Sequence, residues 1–296
     1  TKEKILQTAK QLNYVPNLAA RSLVQGKSNL VGLILPDNSP IYSDFPRLFL
    51  QQMELKGYQV LTYSANNDVA RQEFIIDILQ RQKVDGIAIS PVPGDYGAIE
   101  KIVDFDTPVV IFNRFIKELP VSNVVFNFRK GVSEAIDTLI ERGKKHFYQF
   151  ARQDIYYGKE RRDIFYFNLK VHGISYKTSH TIGVYDTFED AYDKMIQLID
   201  SKKKVDAVFC SSDFTALGVM RACYDKGINI PADISVVGAY NTSLSRFTQP
   251  RISSINANFQ DLVKSVVDLL LSKLVDGKTA IENTNIETRF IERETT

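Results

Sequence analysis

The chain has no tryptophan, and only three histidines, three methionines and two cysteines among 296 residues. Cys210 and Cys223 lie thirteen positions apart with no His or Cys between them, so neither a zinc knuckle nor a redox pair is indicated. They read as two thiols of a reducing compartment, which points to the cytoplasm. No stretch approaches the roughly 18 uninterrupted apolar residues that a membrane helix needs, so no membrane partner is expected. No Gly-x-Gly-x-x-Gly follows a strand-like run, which leaves a dinucleotide fold without its fingerprint. Gly26-Lys27-Ser28 resembles the end of a phosphate loop, but position 21 is Arg where that loop needs Gly. The segment also precedes a strand instead of following one. There is no Gly-x-Ser-x-Gly elbow, and local sequence sets no nucleophile beside His146, His172 or His180. No enzyme, cofactor or metal is expected. An α/β enzyme using Asp213 or Asp37 as a base stands as a minor alternative.

What is present is ordinary globular composition, 44% hydrophobic and 24% charged. Net charge is +2, unevenly spread. Residues 1–28 carry Lys2, Lys4, Lys10, Arg21 and Lys27 against Glu3, a balance of +4 that leaves −2 for the rest. A small basic head on a mildly acidic body suits contact with a polyanion.

From residue 29 onward, short β-branched apolar runs alternate with amphipathic segments. Candidate strands are 29–35, 58–64, 85–90, 108–112, 124–126, 146–150, 180–185, 206–211, 234–238 and 252–256, with a last strand-like segment at 285–291. Candidate helices include 69–82, 130–142, 187–200, 214–226 and 259–275. Runs that are apolar throughout fit strands covered by helices on both faces. About ten such units exceed one open sheet, so two doubly wound parallel sheets are expected, with ligands in a cleft beyond the strands' carboxyl ends. The first 28 residues break this rhythm. Ile5, Leu6, Ala9 and Leu12 have helical spacing, Asn13 and Pro16 stop that helix, and Asn17 caps a second short one over 18–24. Seven residues do not hold a helix in water unaided, so this one needs a partner.

The segment Tyr14-Val-Pro-Asn17-Leu-Ala-Ala-Arg21-Ser-Leu23, followed by Asn29-Leu-Val-Gly-Leu-Ile-Leu-Pro-Asp37, resembles the LacI/GalR family of bacterial transcription repressors. The likeness continues through Pro108-Val-Val-Ile-Phe-Asn-Arg114, Asp206-Ala-Val-Phe-Cys-Ser-Ser-Asp213, Gly227-Ile-Asn-Ile-Pro-Ala-Asp-Ile-Ser-Val-Val-Gly238 and Pro250-Arg-Ile-Ser-Ser-Ile255. Each motif alone is weak. Their order and spacing over nearly the whole chain are specific.

The resemblance implies an α/β fold of two doubly wound, periplasmic-binding-protein-like lobes, preceded by part of an all-α DNA-binding headpiece and a hinge helix. Residues 1–28 would be the headpiece end and hinge, and 29–296 the sensor. One lobe would take about 29–130 and 258–284, and the other about 131–257 and 285–296. The chain begins at Thr1, and roughly 30 upstream residues holding the major-groove helix are expected to be missing. Tyr14, Asn17, Ala20, Arg21 and Leu23 are the implied DNA contacts. Leu23 would wedge between base steps, Arg21 would lie near phosphates, and Asn17 would cap the hinge.

The implied effector contacts are Ile41, Tyr42, Ser90, Asn113, Arg162, Tyr185, Ser212, Asp213, Tyr240 and Asn241. Asn113 stands where the family often has Asp, and Phe165 where it has Gly. After Gly238 the family commonly has an aromatic residue and Asp, whereas this chain reads Ala239-Tyr240-Asn241, so a strong hydroxyl acceptor is absent. Tyr42, Tyr156, Tyr157, Tyr185 and Tyr240 would supply ring surface for a sugar. Arg114, Arg161 and Arg162 keep a phosphorylated one open, but the pattern favours a neutral sugar or oligosaccharide. No leucine heptad trails the last strand, so a homodimer is expected. The implied function is a cytoplasmic, sugar-responsive repressor of carbohydrate genes with operator DNA, an effector and a second copy of itself as partners. The rival reading is a solute-binding protein with the same two lobes.

Overall fold

The computed structural model describes residues 7, 8, 11, 26–37, 39, 42, 44–94, 96–152, 156–185 and 187–296, with backbone alone at 104 and 156–160. Residues 7, 8 and 11 are helical. The expected hinge helix and the candidate DNA contacts Tyr14, Asn17, Ala20, Arg21 and Leu23 lie outside the described residues, as does the candidate effector contact Ile41.

Twelve strands among the described residues form two six-stranded sheets. The first sheet holds β1 (Leu30–Leu35), β2 (Gln59–Ser64), β3 (Gly86–Ile89), β4 (Val109–Phe112), β5 (Ser122–Asn127) and β11 (Asn283–Glu287), in the order β11-β5-β4-β3-β1-β2 and parallel throughout. The second holds β6 (Phe147–Arg152), β7 (Thr181–Val184), β8 (Ala207–Cys210), β9 (Ser235–Ala239), β10 (Ser253–Asn256) and β12 (Arg289–Ile291), in the order β12-β10-β9-β8-β6-β7. Only the β10–β12 pair is antiparallel there. Every residue of β3, β4, β8 and β9 is buried, as expected of strands covered on both faces.

The covering helices are α1 (Asp44–Leu55), α2 (Val69–Arg81), α3 (Gly97–Asp104), α4 (Arg129–Glu141), α5 (Tyr156–Val171), α6 (Phe188–Asp200), α7 (Asp213–Asp225) and α8 (Phe259–Leu274). Short polar side chains start four of them. Asp68, Thr187, Ser212 and Asn258 each accept a backbone N–H of the first turn. The sequence named five of these helices. It left out α1, α3 and α5.

The single strand expected over 285–291 is two strands. Thr288 is fully buried, and its amide and hydroxyl both donate to the Asn127 carbonyl, at 3.2 and 2.9 Å. With Thr288 tied to the end of β5, β11 lies in the first sheet and β12 in the second. The chain thus crosses between sheets at Phe128, at 257–258 and at Thr288. One aromatic-rich core runs through both sheets at these crossings, from Phe45 and Phe112 (stacked, centroids 4.1 Å apart) to Phe126, Phe128, Phe165, Phe209 and Tyr240.

Candidate ligand-binding site

In each sheet the strand order reverses beside the first strand of the lobe, between β1 and β3 and between β6 and β8. Such switch points open a crevice at the strands' carboxyl ends. From the first sheet it receives Tyr42, Ser90 and Asn113. The Asn113 amide donates to the Tyr42 hydroxyl at 2.8 Å, and that hydroxyl lies 3.2 Å from Ser90 Oγ. All three are buried. Burial pushes the Tyr42 phenol up to about 12, so it stays a neutral donor. Asn113 sits at φ 56°, a left-handed turn that Asn tolerates, immediately after β4. These three expected residues are brought together.

From the second sheet, Ser212, Asp213 and Asn241 are brought together as a staple. Ser212 Oγ caps α7 through the Thr215 amide at 3.1 Å. Asp213 is fully buried and accepts from the Thr242 amide (2.6 Å), the Thr242 hydroxyl (2.8 Å) and Ser254 Oγ (2.6 Å). Desolvation raises its pKa to about 6, against those hydrogen bonds and the nearby Arg293 charge, which lower it. Asn241 accepts from Arg293 Nη2 at 2.6 Å and donates to Asn256 Oδ1 at 3.1 Å. Gly238 has no room for a side chain, because a Cβ there would run into Asp213. Ser254 joins two of them, its hydroxyl donating to Asp213 and accepting the Asn241 amide at 3.0 Å, while Ser212 is taken up by Thr215.

Tyr240 does reach the crevice. Its ring packs edge-on to Phe126 and Phe128 and stacks on Phe259. Above Phe128 and Tyr240 lies the Arg161 guanidinium, 4.8 and 5.2 Å from the ring centroids, with Nη1 donating to the Ser211 carbonyl at 3.0 Å. Arg162, the arginine expected here, is instead close enough to Tyr176 for its charge to act on that phenol. The reason is helical. Arg161, Phe165 and Leu169 share one face of α5, Phe165 and Leu169 are buried, and position 162 is turned about 100° away. Tyr185 is 65% exposed, and among the described residues its amide is engaged by Asp190. The side chains of Tyr156 and Tyr157 lie outside the described residues.

The crevice encloses a cavity of about 490 Å³. Asn113, Tyr240, Phe126, Phe128 and Arg161 line it, together with Arg129 and the amides Asn123, Asn127, Asn283 and Asn285 of the β5–β11 edge. The sequence reading missed that edge. Its signal was there, since Asn123 and Asn127, and Asn283 and Asn285, recur at even spacing on neighbouring strands. A smaller void of about 30 Å³ adjoins it, lined by Gln149, Arg152 and Ser211 among others. At its mouth Arg152 pairs with Asp37 across the sheets at 3.7 Å. None of the three histidines lines either space. Among the described residues no cluster of His, Cys, Asp or Glu is placed to hold a metal, and no helix is long and apolar enough to cross a membrane. The geometry can hold a small polar molecule against an aromatic floor. Among the described residues that line this cavity there is no Ser, Thr or Cys.

A family model described as a periplasmic binding protein-like domain matches residues 120–296. The chain is 28% identical over 299 residues to a protein of Bacillus subtilis (strain 168) called a probable HTH-type transcriptional repressor, ExuR, spanning 99% of this chain and 89% of that one. Among solved structures, a transcriptional regulator CelR–cellobiose complex superposes with a TM-score of 0.83 at 24% identity, covering 99% of this chain and 90% of that one. A lac repressor dimer bound to operator and the anti-inducer ONPF gives 0.88 at 22%, covering 99% and 89%. At those identities the structural likeness is one of fold.

Proposed function

The chain belongs to the periplasmic binding protein-like family, in its LacI/GalR regulator branch, and from that premise we propose that it is a dimeric, ligand-responsive, DNA-binding transcriptional repressor of carbohydrate genes. The observation that carries this reading is the cavity at the facing carboxyl ends of two sheets joined by three chain crossings. A ligand seated there touches both sheets at once, so it favours one relative orientation over another. The 1–28 head, with Asn17 as cap and Leu23 as wedge, is the DNA-reading end. A ligand that alters the spacing of two paired hinge helices alters their order on DNA. A hundredfold change in affinity corresponds to about 2.7 kcal/mol of coupling. The protein holds its ligand without turning it over, and it works in the cytoplasm.

The second copy has a surface to meet. Phe188 and Tyr192 on α6 and Leu217 and Gly218 on α7 form an apolar depression, flanked by the Arg221–Asp225 ion pair. Gly218 lets the two helices touch there, since a Cβ would strike the Phe188 carbonyl. A solute-binding protein with the same lobes would have no use for the basic head.

The test is a thermal-melting screen against sugars, sugar acids, sugar phosphates and nucleosides, followed by retention of the whole protein on DNA selected from a random pool. A compound that raises the melting temperature by several degrees and shifts DNA retention supports the reading. Ligand binding with no selected DNA sequence favours the solute-binding rival instead.

A further inference from the structure

The charge balance of the main cavity points beyond a neutral sugar. Two guanidiniums line it, Arg129 and Arg161, and no carboxylate does so among the described residues. Arg161 is half-buried between the Phe128 and Tyr240 rings, and it makes one hydrogen bond among the described residues, to the Ser211 carbonyl. A guanidinium carries five N–H donors in a rigid fork that matches an oxyanion. Holding that charge partly out of water without a counter-charge is costly, and two aromatic faces offset only part of the cost. Glu287, an acid of the adjoining strand, is engaged by the Asn127 amide at 2.8 Å. Asn127 Oδ1 in turn accepts the Arg129 backbone amide at 3.1 Å. Where the resemblance implies an acid for sugar hydroxyls, the ring of Tyr240 stands instead. Among the described residues, the lining of this cavity therefore carries two cationic groups and no acid to balance them.

We propose that the ligand of this cavity is a carbohydrate bearing an oxyanion, a carboxylate or a phosphate ester, seated on the donor fork of Arg161 with Arg129 adding charge at the exposed rim. This rests on the ligand-responsive reading of the same cavity. The tyrosines favoured a neutral sugar at the sequence level, because sequence alone showed neither which arginine turns inward nor that it meets no carboxylate partner among the described residues.

The experiment is calorimetric titration of the intact protein with D-glucuronate, D-galacturonate and D-glucose 6-phosphate, each beside D-glucose or D-galactose. At least one anion is expected to bind tenfold or more tightly than its neutral counterpart, and to weaken as salt is raised. A response to the uronates alone assigns a carboxylate, and a response to the 6-phosphate alone assigns a phosphate ester. Arg161→Gln is expected to lose at least tenfold in anion affinity, and Arg161→Lys to keep part of it. Arg129→Gln, at an exposed position that does not threaten folding, is expected to cost a few-fold. Neutral hexoses binding as tightly as the anions, an indifferent Arg161→Gln, or no binding by any anion each overturns the proposal. A neutral sugar that binds and shifts DNA retention overturns the oxyanion while leaving the repressor reading intact. Failure of DNA retention to respond to any compound removes the repressor reading itself.

Discussion

Asp213 is an acid held in a dry place by donors from three directions. Its carboxyl is fully buried and its pKa is raised to about 6, above the 3.8 of an exposed Asp. The folded protein therefore binds this proton more tightly than the unfolded chain does. The stability tied to it is fully present below pH 3.8 and falls as pH rises to 6, by roughly 3 kcal/mol for a shift of that size. Urea unfolding at steps between pH 4 and 7 is expected to show this slope, and Asp213→Asn to flatten it. An unchanged slope in the variant would assign the titration to another group. The sequence placed Ser212 and Asp213 at a strand–helix turn facing the cleft, and the turn is there. The partners of Asp213, Thr242 and Ser254, lie 29 and 41 residues away in the chain, and no local pattern announces them.

Helices and strands were largely legible from periodicity, because burial on one face or both leaves a repeat in the chain. β1, β3, β4, β8 and β9 read as continuous apolar runs, and α6 and α8 as amphipathic segments. α5 did not, since Phe165, Tyr166 and Phe167 put aromatics around the helix and Tyr166 and Phe167 stay exposed. The resemblance implied Arg162, and the burial of Phe165 and Leu169 on the face of Arg161 turns Arg161 inward instead. Arg162→Ala is accordingly expected to leave ligand affinity within about twofold, measured by the same titration that tests Arg161. The α6–α7 pair makes a second prediction. A charge in the middle of its apolar depression should oppose self-association, so Leu217→Arg is expected to sediment as a monomer at concentrations where the parent protein is a dimer. A dimer that persists would move the interface elsewhere.

Across the whole molecule, the two sheets are tied by three crossings and by the Asp37–Arg152 pair, whose side chains are only 13% and 10% exposed. Removing one partner of a buried pair commonly costs 3–5 kcal/mol. Arg152→Ala is expected to cost less, about 2 kcal/mol, because Asp37 also accepts from the Ser39 amide and the Asn67 side chain. The double variant Asp37→Asn/Arg152→Gln should recover part of that loss in denaturant unfolding, and additive losses would show that the pair carries no coupling. At the other end, Leu23→Ala in the whole protein is expected to weaken retention on selected DNA about tenfold or more while sparing the ligand titration. Retention equal to that of the parent would remove Leu23 from the DNA contacts.

The sequence by itself determined the alternation of strand and helix, the two sheets and their switch points, and the basic head whose spacing resembles a repressor. These are carried by local periodicity and by motifs contiguous in the chain. Tertiary structure alone decided the split at Thr288, the turning inward of Arg161, the closing of Asp213 and Asn241 into a staple, and the row of asparagines along β5 and β11. Each of these depends on groups distant in sequence competing for the same buried donor, acceptor or space, and that competition is settled only when the two sheets meet.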